Sequence, residues 1–134
     1  MTAIDAETGK AVWRSNRYQV RETVGVSEDG HRVYARCMTD TVVALLTSSS
    51  SLSVLWATPC GYGYDIDPSM PIEKDGVVFF GTKNGLVIAL DAKTANVLWK
   101  HRVGETIVHT PVPLEARCVL VSDLDGRLSL IQAR

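Results

Sequence analysis

The sequence lacks an excess of charge of either sign: 14 Lys and Arg stand against 15 Asp and Glu, for a net charge of −1. Nucleic-acid binders normally carry a basic excess on one face, so no nucleic-acid partner is expected. Long hydrophobic runs are missing too. The apolar stretches are short, such as Val42–Leu46, whereas a spanning helix needs about 20 apolar residues, so no membrane-spanning segment is expected. The opening MTAIDAETGK has no basic start followed by an apolar core, and no secretory signal is expected there. Cysteine is scarce. Cys37, Cys60 and Cys118 are an odd number without C-x-x-C spacing, which argues against a zinc site and a disulfide framework. Cys37 and Cys118 sit in strand-like runs and read as buried small apolar residues; Cys60, beside Gly61, reads as more exposed. A period of 3.6 residues is absent, and β-branched and aromatic residues fill the apolar runs, which excludes a helical repeat.

What is present is a repeat. AIDAETGKAVW from Ala3 returns as ALDAKTANVLW from Ala89, and Trp13, Trp56 and Trp99 are spaced 43 residues apart both times. Ala3, Ala44 and Ala89 hold one equivalent position; the second copy is longer before its tryptophan, by a polar insertion around Ser48–Ser51. Upstream, Gly76–Asp91 aligns with His31–Leu46 and with Arg117–Gln132. Each has an apolar run, a polar turn and a second apolar run. Asn84–Gly85 and Asp125–Gly126 are type I′ hairpin signals, and Thr39–Asp40 is a weaker turn at the same place. Before each hairpin comes another extended stretch, holding Pro71 in one copy and Pro111 and Pro113 in another. Proline suits a strand with an unpaired edge, or a strand's beginning.

The unit is therefore four short antiparallel strands. Runs such as VVFF and LVIAL are apolar at consecutive positions, which means strands covered on both faces. Four-stranded sheets covered on both faces and repeating at about 40–45 residues describe the blades of a β-propeller. The fold class expected is all-β, a β-propeller fragment of about three blades. Residues 1–16 form the end of one blade, 22–57 the second, 69–100 the third and 110–134 an incomplete last one. In the opening phrase Asp5 and Asp91 end a strand, where a short carboxylate accepts a backbone N–H two residues on. Gly9 supplies a left-handed residue; in the later copy Ala95 replaces it, and Asn96 is expected to take that conformation. Trp13, Trp56 and Trp99 read as large areas buried against a neighbouring blade. ETGK at Glu7–Lys10 is no Walker loop, since the first glycine and the final Ser or Thr are missing.

The pattern A-x-D-x-x-T-G-x-x-x-W, matched by Ala3, Asp5, Thr8, Gly9 and Trp13, resembles the repeat of the pyrroloquinoline-quinone-like (PQQ-like) β-propellers. The third copy matches at Ala89, Asp91, Thr94 and Trp99; the second keeps Ala44 and Trp56. That family spans several functions. The resemblance implies a non-catalytic module that binds a protein or a ligand, a fragment of a quinone-dependent dehydrogenase, or a sensor propeller fused to a bacterial signalling kinase or phosphoesterase. It also implies a periplasmic or cell-envelope setting. The dehydrogenases carry a vicinal cysteine pair and a calcium held by acidic and amide side chains. This chain has no Cys-Cys, and no such calcium set falls on matching positions. The non-catalytic module is therefore the expected function, with no catalytic residue, metal or cofactor; pyrroloquinoline quinone with calcium belongs to the dehydrogenase alternative.

About three blades fall short of the four to eight that close a propeller. The expected partners are another protein or further blades of the same propeller, with self-association through open edges; a two-chain ring of six blades is the bolder form of that expectation. The least repeat-like loop follows Trp56 and carries Tyr62, Tyr64, Asp65 and Asp67. Aromatics beside acids on a loop suit recognition of a partner; the competing reading is a self-packed loop. Calcium at Asp65 and Asp67 would need more oxygen ligands, and Asp123–Asp125 is explained by its hairpin turn. His109, before the last Pro-rich strand, is a candidate axis-facing residue without a visible catalytic partner; His31 and His101 read as ordinary surface residues. Arg14, Arg17, Arg21, Arg32 and Arg36 read as a solvated basic face, or as a patch facing a partner.

Overall fold

The computed structural model of the chain describes residues 1–48, 50–66 and 69–132, with residues 21–23 described by backbone alone. Consecutive apolar residues and tight polar turns produce strands throughout. They are β1 (Thr2–Ile4), β2 (Ala11–Arg14), β3 (Val20–Val26), β4 (Arg32–Cys37), β5 (Thr39–Leu46), β6 (Val54–Tyr64) and β7 (Ile72–Lys74). There follow β8 (Val77–Gly81), β9 (Leu86–Asp91), β10 (Val97–Arg102), β11 (Val112–Glu115), β12 (Cys118–Ser122) and β13 (Leu128–Gln132). They pair antiparallel in four sheets: β1–β2, β3–β4–β5–β6, β7–β8–β9–β10 and β11–β12–β13. This is a partial β-propeller. The second sheet runs past residue 57, because β6 continues to Tyr64.

Each middle sheet buries both faces. Val78, Phe80, Ile88 and Leu90 of the third sheet pack against Tyr34, Val42 and Ala44 of the second. The residues between them, Phe79, Val87 and Ala89, pack against Val119 and Val121 of the fourth. Side chains alternate along a strand, so an unbroken apolar run serves two neighbours at once. The rows across the sheets repeat as well. Tyr34 lies opposite Ala44 and Ala44 opposite Trp56; Phe79 lies opposite Ala89 and Ala89 opposite Trp99. The small alanine between them lets the rings meet, at 5.8 Å for Tyr34–Trp56 and 5.9 Å for Phe79–Trp99. Full burial of an aromatic of this size contributes about 1.5–3 kcal/mol.

Polar groups tie neighbouring sheets. The Tyr34 hydroxyl donates to Glu73 at 2.6 Å, and Arg32 pairs with the same carboxylate at 3.2 Å. Arg32 and the Trp56 indole both donate to the Ala92 carbonyl. On the rim of the first-to-second strand hairpins, Glu28 accepts from Lys74 at 2.9 Å and from the Asp75 N–H at 2.7 Å. Asp75 in turn accepts the Ala116 N–H at 3.2 Å. The first strands of adjacent sheets approach closely: a Cβ on Gly25 would stand 1.7 Å from the Pro71 carbonyl oxygen. Pro71 precedes β7 and Pro111 precedes β11, while Pro113 lies in β11, whose far edge no described strand pairs.

The opening phrase is a turn built twice. Asp5 accepts from the Thr8 N–H and hydroxyl, both at 2.7 Å, and from the Glu7 N–H. Asp91 does the same with Thr94 and Lys93. Gly9 takes φ 69° and Ala95 takes φ 64°. The left-handed residue of the later copy is thus Ala95 itself and not Asn96: the turn fixes the conformation by position, and the Asp91–Thr94 bonds hold alanine there. Two further expectations are corrected. Cys60 is buried, since the bulged end of β6 folds its side chain into the core between the second and third sheets. Arg36 is buried against Asp65, just past the end of β6 in its own sheet, and Arg32 is half-buried against Glu73 of the third sheet, so the basic lean is no continuous solvated face; the Arg21 side chain lies outside the described residues.

Two outcomes follow from these contacts. Gly25→Ala should lower stability by about 1–3 kcal/mol, because the first strands of two sheets must move apart; the midpoint of urea unfolding measures it. Hydrogen bonds from Thr8 hold the Asp5 carboxyl below its ordinary value of 3.8, and the Thr94 bonds do the same for Asp91. Such lowered groups contribute stability that is present above the unfolded-chain value and is lost as pH falls through the folded-state value. The melting temperature should therefore fall between about pH 5 and about pH 3, and fall less steeply in Asp91→Ala than in the parent chain.

Candidate functional site

The loop after Trp56 departs from the repeat because its strand does not end where the others do. β10 stops at Arg102, whereas β6 continues until Tyr64 lies opposite Thr39. Asp40 makes this extension. It stands at the hairpin position of Gly85 and Gly126 and takes φ 57°. Its carboxylate accepts the N–H of Tyr62 at 2.6 Å and of Gly63 at 3.2 Å. The Asp65 N–H donates to the Met38 carbonyl at 2.9 Å. Gly61 and Gly63 take φ 72° and 73°, which bends the strand end back over its own hairpin.

Beneath the loop lies a buried polar cluster. Tyr62 is enclosed, its hydroxyl donating to the carbonyl of Cys37 at 2.7 Å or of Thr41 at 2.8 Å. Its ring meets Phe80 edge-on at 5.8 Å. The Arg36 guanidinium stands over both rings, 5.3 Å from Tyr62 and 5.1 Å from Phe80. Arg36 also pairs with Asp65 at 3.5 Å and donates to the Ser69 carbonyl at 3.2 Å. The second Asp65 contact comes from the third sheet, the Lys83 N–H at 3.0 Å. The Ser69 hydroxyl accepts the Gly81 N–H at 2.7 Å. Burial pushes the Tyr62 phenol above its usual range and the Cys60 thiol up to about 12, so neither offers an anion near neutral pH.

The candidate residues thus divide. Tyr62 and Asp65 come together as part of the support. Tyr64 stands on top of it, 53% exposed, with the Lys83 ammonium 5.5 Å from its ring centroid and Ile66 exposed two residues on. Asp67 lies outside the described residues. His109 is exposed on the next connection; its backbone N–H donates to Ser122 and its carbonyl receives the Ser69 hydroxyl at 3.4 Å. Among the described residues no three His, Cys, Asp or Glu side chains converge in a way that could hold a metal ion. Trp13, Trp56 and Trp99 sit at sheet interfaces, and Asp5, Asp91 and Gly9 form turns. From the sequence Asp40 reads only as a weak turn and Arg36 only as one of a basic group, and Lys83 is not marked at all. Arg36 had a signal: a charge inside VYARC, a run otherwise buried on both faces, calls for a buried partner.

A family model of the PQQ-like repeat, described as outer membrane protein assembly factor BamB, matches residues 1–134. No protein of curated function matches the chain. Among solved structures, BamB from Moraxella catarrhalis is similar at 17% identity and a TM-score of 0.75, over 92% of this chain and 38% of that one. The computationally designed Ika8 protein is similar at 15% identity and a TM-score of 0.80, over 98% and 39%. A chain of the mitotic checkpoint complex is similar at 14% identity and a TM-score of 0.77, over 99% and 42%. The chain therefore spans about two fifths of the length of these structures. At such identities the likeness is one of fold.

The two layers of the loop should respond differently to substitution. Arg36→Ala leaves the Asp65 carboxylate buried without its cation and should cost about 3–5 kcal/mol in urea unfolding. Tyr64→Ala, on the exposed layer, should change stability by less than about 0.5 kcal/mol.

Proposed function

The chain belongs to the PQQ-like repeat propellers whose family model is described as outer membrane protein assembly factor BamB, and from that premise we propose a non-catalytic scaffold that binds a protein through the rim carrying Tyr64. One observation carries the reading: Tyr64 is presented, exposed, on a base fixed by the Asp40, Arg36 and Asp65 contacts. A rigid aromatic beside an apolar Ile66 and a cation loses little freedom when a partner covers it, which is what an interface hot spot requires. The hairpin rims add to this, since they are cross-tied from sheet to sheet and need little reordering on binding. On this reading the work lies in the assembly of outer-membrane proteins, in the periplasm or at the cell envelope, a setting that the family description supports coarsely. The reading assigns no cofactor: Asp65 is engaged by Arg36 and the Lys83 N–H, and the Cys37, Cys60 and Cys118 thiols are separately buried.

A photo-crosslinking residue placed at Tyr64, and another at the exposed Leu98 as control, tests the proposal in cell-envelope preparations. A discrete protein adduct should form from position 64 and not from position 98. Tyr64→Ala should lower affinity for that protein at least about tenfold without changing the melting temperature. Equal adducts from both positions would refute the assignment of this rim. Thermal stabilisation by pyrroloquinoline quinone with calcium, together with dye-linked alcohol oxidation, would turn the reading to the dehydrogenase.

A further inference from the structure

By composition the loop after Trp56 is acidic, with Asp65 and Asp67 beside its tyrosines. The described carboxylates around it are spent inward. Asp65 is buried between Arg36 and the Lys83 N–H. Asp40 is half-buried and caps the N–H groups of Tyr62 and Gly63. Glu105, on the neighbouring connection, pairs with Arg102 at 3.6 Å, and Arg102 also donates to the Asn84 and Gly104 carbonyls. Asp67 lies outside the described residues.

Two cations remain at the surface of the loop. Lys83, on the β8–β9 hairpin, holds its ammonium 5.5 Å from the Tyr64 ring centroid. Lys100, exposed on β10, reaches the loop at Gly61, where an added Cβ would stand 2.6 Å from its Nζ. Among the described residues neither ammonium has a carboxylate at ion-pair distance. Both lysines belong to the third sheet and the loop to the second, so the cations gather where two sheets meet. Each of those sheets has all four of its strands, and this surface is finished by the chain itself. Tyr64 and Ile66 add exposed apolar area beside the charges.

We infer that the partner meets the Tyr64 rim with an acidic segment: Asp or Glu side chains against Lys83 and Lys100, and a neighbouring apolar side chain over Tyr64 and Ile66. The inference rests on that rim being the binding surface and adds the charge of what binds. The number of cations selects a protein. Nucleic acid is gripped through a row of phosphates, and an anionic membrane takes clusters of about four to eight cations. Two ammonium groups beside a phenol ring suit one or two carboxylates. Exposed charges of this kind act on encounter rate and choice of partner.

The probes are three blocked synthetic peptides in which Leu alternates with Glu, with Gln or with Lys. Added to the full chain, the Glu peptide should shift the Tyr64 ring resonance. The Gln peptide should bind several-fold more weakly, and the Lys peptide should cause no shift. Raising salt from about 0.05 M to about 0.5 M should weaken the Glu peptide. In the protein, Lys83→Glu combined with Lys100→Glu should weaken it at least about tenfold and leave the melting temperature in place. Lys93→Glu, in the turn at the opposite end of the third sheet, should change nothing. No shift at millimolar Glu peptide, equal binding of the three peptides, or loss of binding in Asp67→Asn would overturn the inference. So would lysine-dependent binding to phosphatidylglycerol vesicles without any peptide shift, which would assign the cations to a membrane. The photo-crosslinking residue at position 64 separates the two readings. An adduct that persists at full yield in the doubly reversed protein refutes the acidic partner and keeps the rim; no adduct in the parent background refutes the rim itself.

Discussion

A sheet that is apolar on both faces cannot stand alone in water, and that constraint organises this molecule. Val78, Phe80, Ile88 and Leu90 need the second sheet; Phe79, Val87 and Ala89 need the fourth. Neither set is sufficient by itself, because leaving either face open exposes a continuous apolar surface to water. The demand passes from sheet to sheet, so the fold is necessarily a stack of similar units. Within each full interface the volume is set by one row: an aromatic, an alanine and a tryptophan. The alanine is as necessary as the rings, since a larger residue there would hold Tyr34 and Trp56 apart.

Packing of this kind fixes distance between sheets better than it fixes their relative slide. The buried polar groups supply the second constraint. Glu73 reaches across to Tyr34 and Arg32, and Asp65 joins Arg36 of the second sheet to the Lys83 N–H of the third. Buried charges gain little net stability over apolar substitutes but penalise any arrangement that separates them. Their place here, at sheet-to-sheet contacts, suits a role in alignment. Arg36 adds a second function: by holding Asp65 beneath the loop it supports the strand end that carries Tyr64.

The repeat was legible from three tryptophans and two near-identical turns, because large half-buried rings at sheet interfaces and Asx-type turns tolerate few substitutes. Strand order followed from hairpin chemistry at Asn84–Gly85 and Asp125–Gly126. Less legible was the second copy, where Asp40 replaces the hairpin glycine. Read locally it is a weak turn; in three dimensions its carboxylate caps Tyr62 and Gly63, 22 and 23 residues away. The Ala95 turn departs from its local signal for a related reason, since intrinsic preference favours Asn in the left-handed region and the Asp91 bonds override it. For the loop after Trp56, composition marks a departure from the repeat but not the layers within it. Aromatics beside acids describe both a surface and a support, and only the direction of each side chain separates Tyr64 from Tyr62 and Asp65.

The fourth sheet shows how far the row argument reaches. Leu120 lies opposite Leu130, where the other sheets have an aromatic opposite alanine. The two leucines share the space more evenly, and Leu128 and Leu130 leave an exposed apolar face on β13. A strand added there as a fourth member would place its own residue next to Leu130. A tryptophan in that place would lack the alanine over which Trp56 and Trp99 reach their partner rings. The β2 strand of a second copy, led by Trp13, is therefore a poor complement to β13, and a two-chain ring closed in that way would lose the packing that defines the other interfaces.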